Sequence, residues 1–472
     1  MLDTLTLRRA LRAPARPIRF GESTLARLEA WQPALLIAVA ATCAVSVFVA
    51  ELLLALGVLA FVARLASGRT RIHSFPLAAP IAAFVVWTVL SASFADDPVA
   101  AHEDAKKLVL FVVVWLALDC FRSRESRERA VDAVLLGGIV LSAGCLVQFY
   151  LMGFDTLNNR PTGFLGHYMT SSGVSMAVIV LATARILFGA SPDSRPDRHD
   201  WLRLAAIGTC VAAVVVLDHY GLLPNKAQRG VLAIVLVVTA FGLSRGTWSG
   251  PGTSALLARV AAPLGAWALL VLQTRSAWLG TVAGLAVVLF LWAPRALAIL
   301  PVGIALAVAV GPQAVLDRLT VTDDSSRDRY YMWQAGIDMV AERPIFGMGP
   351  GQVEVLYPRY RWRGAPNAAA PHLHDNMIQI AAERGLPCLA FFFWMVFAAM
   401  RDALREARRG ARGEGWIAIG ALAVWTAVMA GGLFEYNFGD SEILMLLLLV
   451  AAAPYALKQE RDEARAEPAA AT

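Results

Sequence analysis

The stretch Pro371-His372-Leu373-His374-Asp375-Asn376-Met377-Ile378, running on to Gly385, ends the only long polar segment of an otherwise apolar chain. Asp375 or Asn376 is placed to cap a helix whose Met377, Ile378, Ile380 and Ala381 face apolar surroundings, with Gly385 and Pro387 ending it. His374 then stands at the positive end of a helix, where protonation of an imidazole is disfavoured and a base stays available near neutral pH. His372, two residues earlier, is expected to point elsewhere. His-x-His without a third ligand in sequence reach is weak for zinc, so no metal is expected. Glu383 lies more than two helical turns from His374 and is expected to pack or cap locally rather than orient it.

The chemistry that fits beside a neutral histidine comes from arginine. Arg160 opens Arg160-Pro161-Thr162-Gly163-Phe164-Leu165-Gly166-His167, Arg275 sits in Thr274-Arg275-Ser276-Ala277-Trp278, and Arg329 begins an amphipathic helix. Guanidinium forks stay charged and bind phosphate bidentately, so several facing one cavity suit a lipid diphosphate. A charge placed like Arg275 costs about 3 kcal/mol in hydrocarbon even on the gentler scales, and is usually retained for an anionic partner. The competing reading of each is an arginine snorkelling to the interface. No nucleophile elbow, His-Glu-x-x-His pair or Asp-x-Asp clamp is present.

These residues must be held by membrane helices. The chain has 472 residues, 58% hydrophobic and 17% charged, with a mean hydropathy of +0.58, which excludes an ordinary soluble domain. No period-two alternation marks a β-barrel, so the expected fold is all-α, a polytopic transmembrane bundle. Hydropathy places spans at 34–50, 51–66, 76–94, 107–121, 130–152, 168–189, 203–220, 229–244, 255–273, 276–293, 295–311, 386–400, 415–434 and 441–457. Losing one hairpin lowers the count from fourteen to twelve and leaves every later loop on the same side. Basic residues at Arg122 to Arg129, Arg195 to Arg203 and Arg401 to Arg412 mark one side as cytoplasmic. Arg160, Arg275, the segment 312–386 and the turn at Glu435 to Asp440 then fall on the other, both termini are cytoplasmic, and no nucleic acid is expected.

The expected division is a basic tail at 1–33, read as retained rather than as a signal peptide, and a transmembrane bundle at 34–311. An external segment follows at 312–386, then C-terminal transmembrane helices at 387–457 and a cytoplasmic tail at 458–472. Within the external segment an amphipathic helix is expected over 328–342, with Tyr330, Trp333, Ile337 and Val340 at helical spacing. Phe346-Gly347-Met348-Gly349-Pro350-Gly351 is a tight turn and not a phosphate loop, since no Lys-Ser/Thr follows and Pro350 lacks an N–H. Tyr357, Tyr360 and Trp362 with Arg359, Arg361 and Arg363 read as an interfacial anchor or a ligand contact. The isolated Cys43, Cys120, Cys145, Cys210 and Cys388 read as small core residues.

Segment 327–386 resembles the signature region of the O-antigen ligase and O-antigen polymerase superfamily. Arg329 stands four before Trp333, then come Pro344-Ile345-Phe346-Gly347-Met348-Gly349, and His374 precedes Ile378 and Glu383-Arg384-Gly385. The motifs around Arg160 and Arg275 resemble that superfamily's two earlier external arginine motifs. Two departures are Asp375, where Asn or Ser is usual, and Ser276 after the arginine rather than a serine before it. The resemblance implies a GT-C-like glycosyltransferase in the bacterial inner membrane, with its active site facing the periplasm. It further implies an undecaprenyl-diphosphate-linked glycan donor, a lipid A core acceptor and no metal or other cofactor. By that resemblance His374 is the general base and Arg160 and Arg275 hold the diphosphate, with Arg329 beside them. His372, His167, Asp375 and Glu383 are accessory candidates. A polymerase or a protein O-glycosyltransferase would use the same donor. A transporter would need ionisable residues within spans, for which Asp218, His219 and Arg185 are the only hints.

Overall fold

The computed structural model describes residues 21–189, 196–220, 222, 225–246, 250–312, 324–410 and 415–470. Every regular element among them is helical. The bundle comprises α1 (Glu22–Thr42), α2 (Val47–Ala66), α3 (Ala78–Ser93), α4 (Pro98–Asp104), α5 (Val112–Cys120), α6 (Arg124–Leu151), α7 (Tyr168–Ala184), α8 (Arg198–His219), α9 (Asn225–Ser244), α10 (Pro251–Val271), α11 (Arg275–Trp292) and α12 (Ile299–Val310). After these come α13 (Asp324–Glu342), α14 (Gln352–Tyr360), α15 (Asn376–Arg409), α16 (Trp416–Gly431) and α17 (Ser441–Ala470). Among the described residues seven helices are long and apolar enough to cross a bilayer and four shorter apolar ones accompany them, which makes the chain a polytopic helical membrane bundle. One continuous apolar core runs through α1, α3, α6, α7, α10, α11, α16 and α17.

Helix α1 starts earlier than hydropathy places the first span, because its polar first turns are held by charge. Glu29 pairs with Arg64 at 3.5 Å and Arg69 at 3.6 Å, contacts between distant residues that a window average does not register. Arg64 also pairs with buried Asp119, which accepts from Thr70 at 2.6 Å, so this end of the bundle carries a buried polar knot. Arg185 likewise pairs with Asp132 at 3.1 Å, which gives it a partner within the bundle. The side chains of Asp218 and His219 lie outside the described residues, as do Arg195, residues 313–323 and the tail up to residue 20.

Residues 324–384 fold over the opposite end around a small core of their own, with Met332, Ala335, Met339, Met348, Val353, Tyr357 and Leu373 buried together. This corrects two expectations. The buried face of α13 is Met332, Ala335 and Met339, whereas Tyr330 and Ile337 are exposed. Tyr357 is a core residue and Trp362 donates to Asp338 at 2.8 Å, so the aromatic cluster helps to build this cap rather than only anchoring it at an interface.

The cap is fastened where α15 breaks. Gly385 has φ 79 and ψ 169, a conformation essentially restricted to glycine, and it divides α15 into an outer half and a long inner half. The glycine turn packs against this break: Met348 N–H donates to Ala382 O and Gly349 N–H to Glu383 O, both at 2.8 Å. Phe346 stacks on Phe94, just past the end of α3, and on Trp87 within it, with ring centroids 4.1 and 5.4 Å away. The turn is therefore a clasp between cap and bundle.

Candidate functional site

Three loops and the first turns of α13 and α15 meet at this end. Gln148, near the end of α6, clamps the Arg160 turn: its Oε1 accepts from Thr162 and Gly163 N–H at 2.9 and 2.8 Å, and its Nε2 donates to Gly163 O at 2.9 Å. Arg160 is ordered in turn, with Nε donating to Leu157 O at 2.9 Å and its guanidinium 3.8 Å over the Tyr168 ring. Burial lowers its pKa below the ordinary arginine value; Tyr168 opposes that effect, while Arg329 and Arg275 add to it. All three arginines are therefore electrostatic neighbours.

Arg275 is the first residue of α11, not a charge in mid-span. The strand of chain before it is tied to α7 by Ser172 Oγ donating to Thr274 Oγ1 at 2.8 Å. Gln273 is fully buried at φ 54, and its carbonyl lies 3.5 Å from Arg160 Nη1. Arg275 itself reaches to Ser326 Oγ on α13 at 2.9 Å, three residues before Arg329.

His374 lies just before the cap of α15, with Asp375 Oδ1 accepting from Ile378 N–H at 2.8 Å. Its Nδ1 lies 3.0 and 3.1 Å from the two oxygens of Glu435, a residue with no assigned role in the sequence reading. Glu435 is buried and also faces Arg329 at 3.7 Å and His372 Nε2 at 3.6 Å. Burial alone would push its carboxyl up; the hydrogen bond and charge of His374, then His372 and Arg329, outweigh this and hold it below the usual carboxylate range. With Nδ1 turned to the carboxylate, Nε2 is the ring nitrogen left to accept a proton whenever the imidazole is neutral.

The loop that brings Glu435 here is locked to α15. Asn376 N–H donates to Gly432 O at 2.8 Å, its Nδ2 to Asn437 Oδ1 at 2.8 Å, and its Oδ1 accepts from Phe438 N–H at 3.1 Å. One buried asparagine thus fixes the base relative to its carboxylate. The loop of acids and aromatics between the last two apolar helices was the available signal for Glu435.

His372 does not point elsewhere. Leu373 turns into the cap core, so the residues on either side of it fall together, and the two imidazole rings lie 4.2 Å apart. Burial lowers the His372 pKa to about 4, with Glu435 opposing. His167 is drawn in as well, its pKa lowered by burial with Glu435, His374 and Arg160 as charged neighbours. Asp375 is occupied by its cap, and Glu383 faces away, accepting from Gln379 Nε2 at 2.8 Å and Gly351 N–H at 3.0 Å. The third metal-ligand candidate missing from the sequence is also present: His372, His374 and Glu435 offer ligand atoms within 4.8 Å of one another. Arg329 sits at the same carboxylate, and a guanidinium there opposes a cation.

Residues 260–393 match the family model described as O-antigen ligase. The chain carries an O-antigen ligase family domain. The matched part contains Arg275, Arg329, His372 and His374, whereas Arg160, His167 and Glu435 come from outside it. The match likens residues 260–393 to the O-antigen ligases. No curated relative matches the chain.

Proposed function

We propose that the protein transfers O-antigen polysaccharide from undecaprenyl diphosphate to the lipid A core oligosaccharide, at the periplasmic face of the inner membrane. The observation that carries this reading is His374 held by Glu435 beside Arg160, Arg275 and Arg329. Nε2 of His374 takes the proton of an acceptor hydroxyl as its oxygen attacks the anomeric carbon. The bond from that carbon to the diphosphate oxygen breaks, and its electron pair leaves with the diphosphate. The arginines neutralise the leaving charge, and Glu435 steadies the imidazolium as it forms. A single displacement inverts the anomeric carbon, and the scheme uses no metal.

A groove of about 430 Å³ lined by Leu269, Leu270, Trp278, Leu285 and Ile304 runs beside the α11 end that carries Arg275. It suits the polyprenyl chain of the same donor. The proposed layout keeps 312–386 as the external segment between bundles at 34–311 and 387–457, with the tails at 1–33 and 458–472 cytoplasmic. An O-antigen polymerase or a protein O-glycosyltransferase shares this donor chemistry and differs in the acceptor.

Expression of the wild type and of His374→Ala in a cell lacking its own ligase tests the reading. Restored lipopolysaccharide ladders that vanish in the variant support it. Long polymer left only on undecaprenyl diphosphate points to polymerase, full activity of the variant removes His374 from the mechanism, and abolition by a chelator overturns the metal-free scheme.

A further inference from the structure

A second chamber lies behind His372. A cavity of about 210 Å³ is walled by His372, Tyr436, Asp104, Glu354, Asp440 and Arg384. His372 links this cavity to the base: it lines the wall, its Nε2 lies 3.6 Å from Glu435, and its ring stands 4.2 Å from that of His374.

The charges on the two sides of His372 differ. Guanidinium groups gather near Glu435. Behind His372 carboxylates predominate, and the cations present are already engaged, Lys107 with Asp104 at 3.3 Å and Arg384 with Glu383 at 3.0 Å. Arg384 is 7% exposed, and its Nε has no hydrogen-bond partner among the described residues, a donor left over in the cavity wall. Phe84, Phe111, Phe438 and Tyr436 supply apolar surface. Carboxylate acceptors, a spare buried donor and aromatic faces bind hydroxyl-rich rings and repel anions.

Resting on the glycosyl-transfer reading, we propose that this cavity holds the acceptor sugar, that Glu354 and Asp440 select it, and that the sugar carries free hydroxyls rather than a phosphate. The diphosphate donor is confined to the arginine side by the same field. Glu354 is exposed on α14 and Asp440 is held by Thr170 at 3.1 Å, so the selecting groups come from different parts of the chain.

The test uses the full chain in lipid nanodiscs, a polyprenyl-diphosphate-linked glycan as donor, and two acceptors. One ends in an unsubstituted hexose and the other carries a phosphomonoester on that hexose. Transfer to the first only, with acceptor KM raised about tenfold or more in Glu354→Gln and Asp440→Asn while donor KM holds, is the expected result. Glu354→Lys should admit the phosphorylated acceptor. Equal use of both acceptors, or an acceptor KM unmoved in every variant, overturns the assignment while leaving glycosyl transfer intact. A wild type that transfers glycan to neither acceptor and binds no lipid diphosphate overturns the glycosyl-transfer reading, and the acceptor assignment with it.

Discussion

His374 Nδ1 lies 3.0 Å from Glu435 Oε2, joining residues 61 positions apart into one unit. In proteins that abstract a hydroxyl proton with histidine, a carboxylate in this position fixes the tautomer and stabilises the imidazolium. Glu435→Gln keeps the shape and removes the charge. The transfer rate should fall by about 10²- to 10⁴-fold with donor KM little changed; a variant with wild-type kcat would show that Glu435 only packs.

The arginines are expected to act on the donor. Arg160→Lys and Arg275→Lys retain charge but lose the planar fork, and Arg160 also loses its seat over Tyr168. Binding of a polyprenyl diphosphate analogue should weaken by roughly 10- to 100-fold in each. Undiminished binding by either variant would return that residue to the snorkelling role.

Acid should destabilise the cap through His372. Its pKa falls from the ordinary 6.5 to about 4 on folding because of burial, so the unfolded chain binds the extra proton first. The stability contributed is complete above about pH 6.5 and is lost as pH falls from there towards 4, on the order of 3 kcal/mol at most. Glu435, held low, loses its contribution in the same direction as pH falls. Thermal melts of His372→Gln in detergent should show a shallower decline over that window; an unchanged slope would remove His372 as its source.

Gly385 is expected to tolerate no side chain. A Cβ there would stand 2.0 Å from Ile345 O, on a backbone at φ 79. Gly385→Ala should cost several kcal/mol and lose folded yield by size-exclusion chromatography, whereas Gly303→Ala, with nothing within 4 Å, should be neutral. Similar yields for the two would contradict the clasp.

Asn376 offers a subtler test. Asn376→Ala strands the Phe438 N–H and the Asn437 amide and lets the Glu435 loop drift, at about 1–3 kcal/mol per buried group left unpaired. Activity should fall further than melting temperature alone explains. Equal activity at a temperature where the variant is folded would show that the loop holds itself.

Apolar runs long enough for a bilayer, charge asymmetry between loops and a lone polar segment were enough to derive a helical membrane bundle, because each is a local property of the chain. The cap of α15 at Asp375 and its break at Gly385 were legible for the same reason. Motif chemistry singled out His374, Arg160, Arg275 and Arg329 one by one. The meeting of His374 and Arg329 at one carboxylate was not legible, since Glu435 approaches His374 only through a loop fastened by Asn376, and nothing in the spacing from 374 to 435 encodes that contact. The side taken by His372 and the buried face of α13 were also decided by tertiary packing, where the cap core claimed Leu373, Met332 and Met339 and left their neighbours to face the other way. Sequence alone determined which side chains are fit for the chemistry; the fold decided which of them share a site, because burial and long-range hydrogen bonds act between residues that the chain keeps far apart.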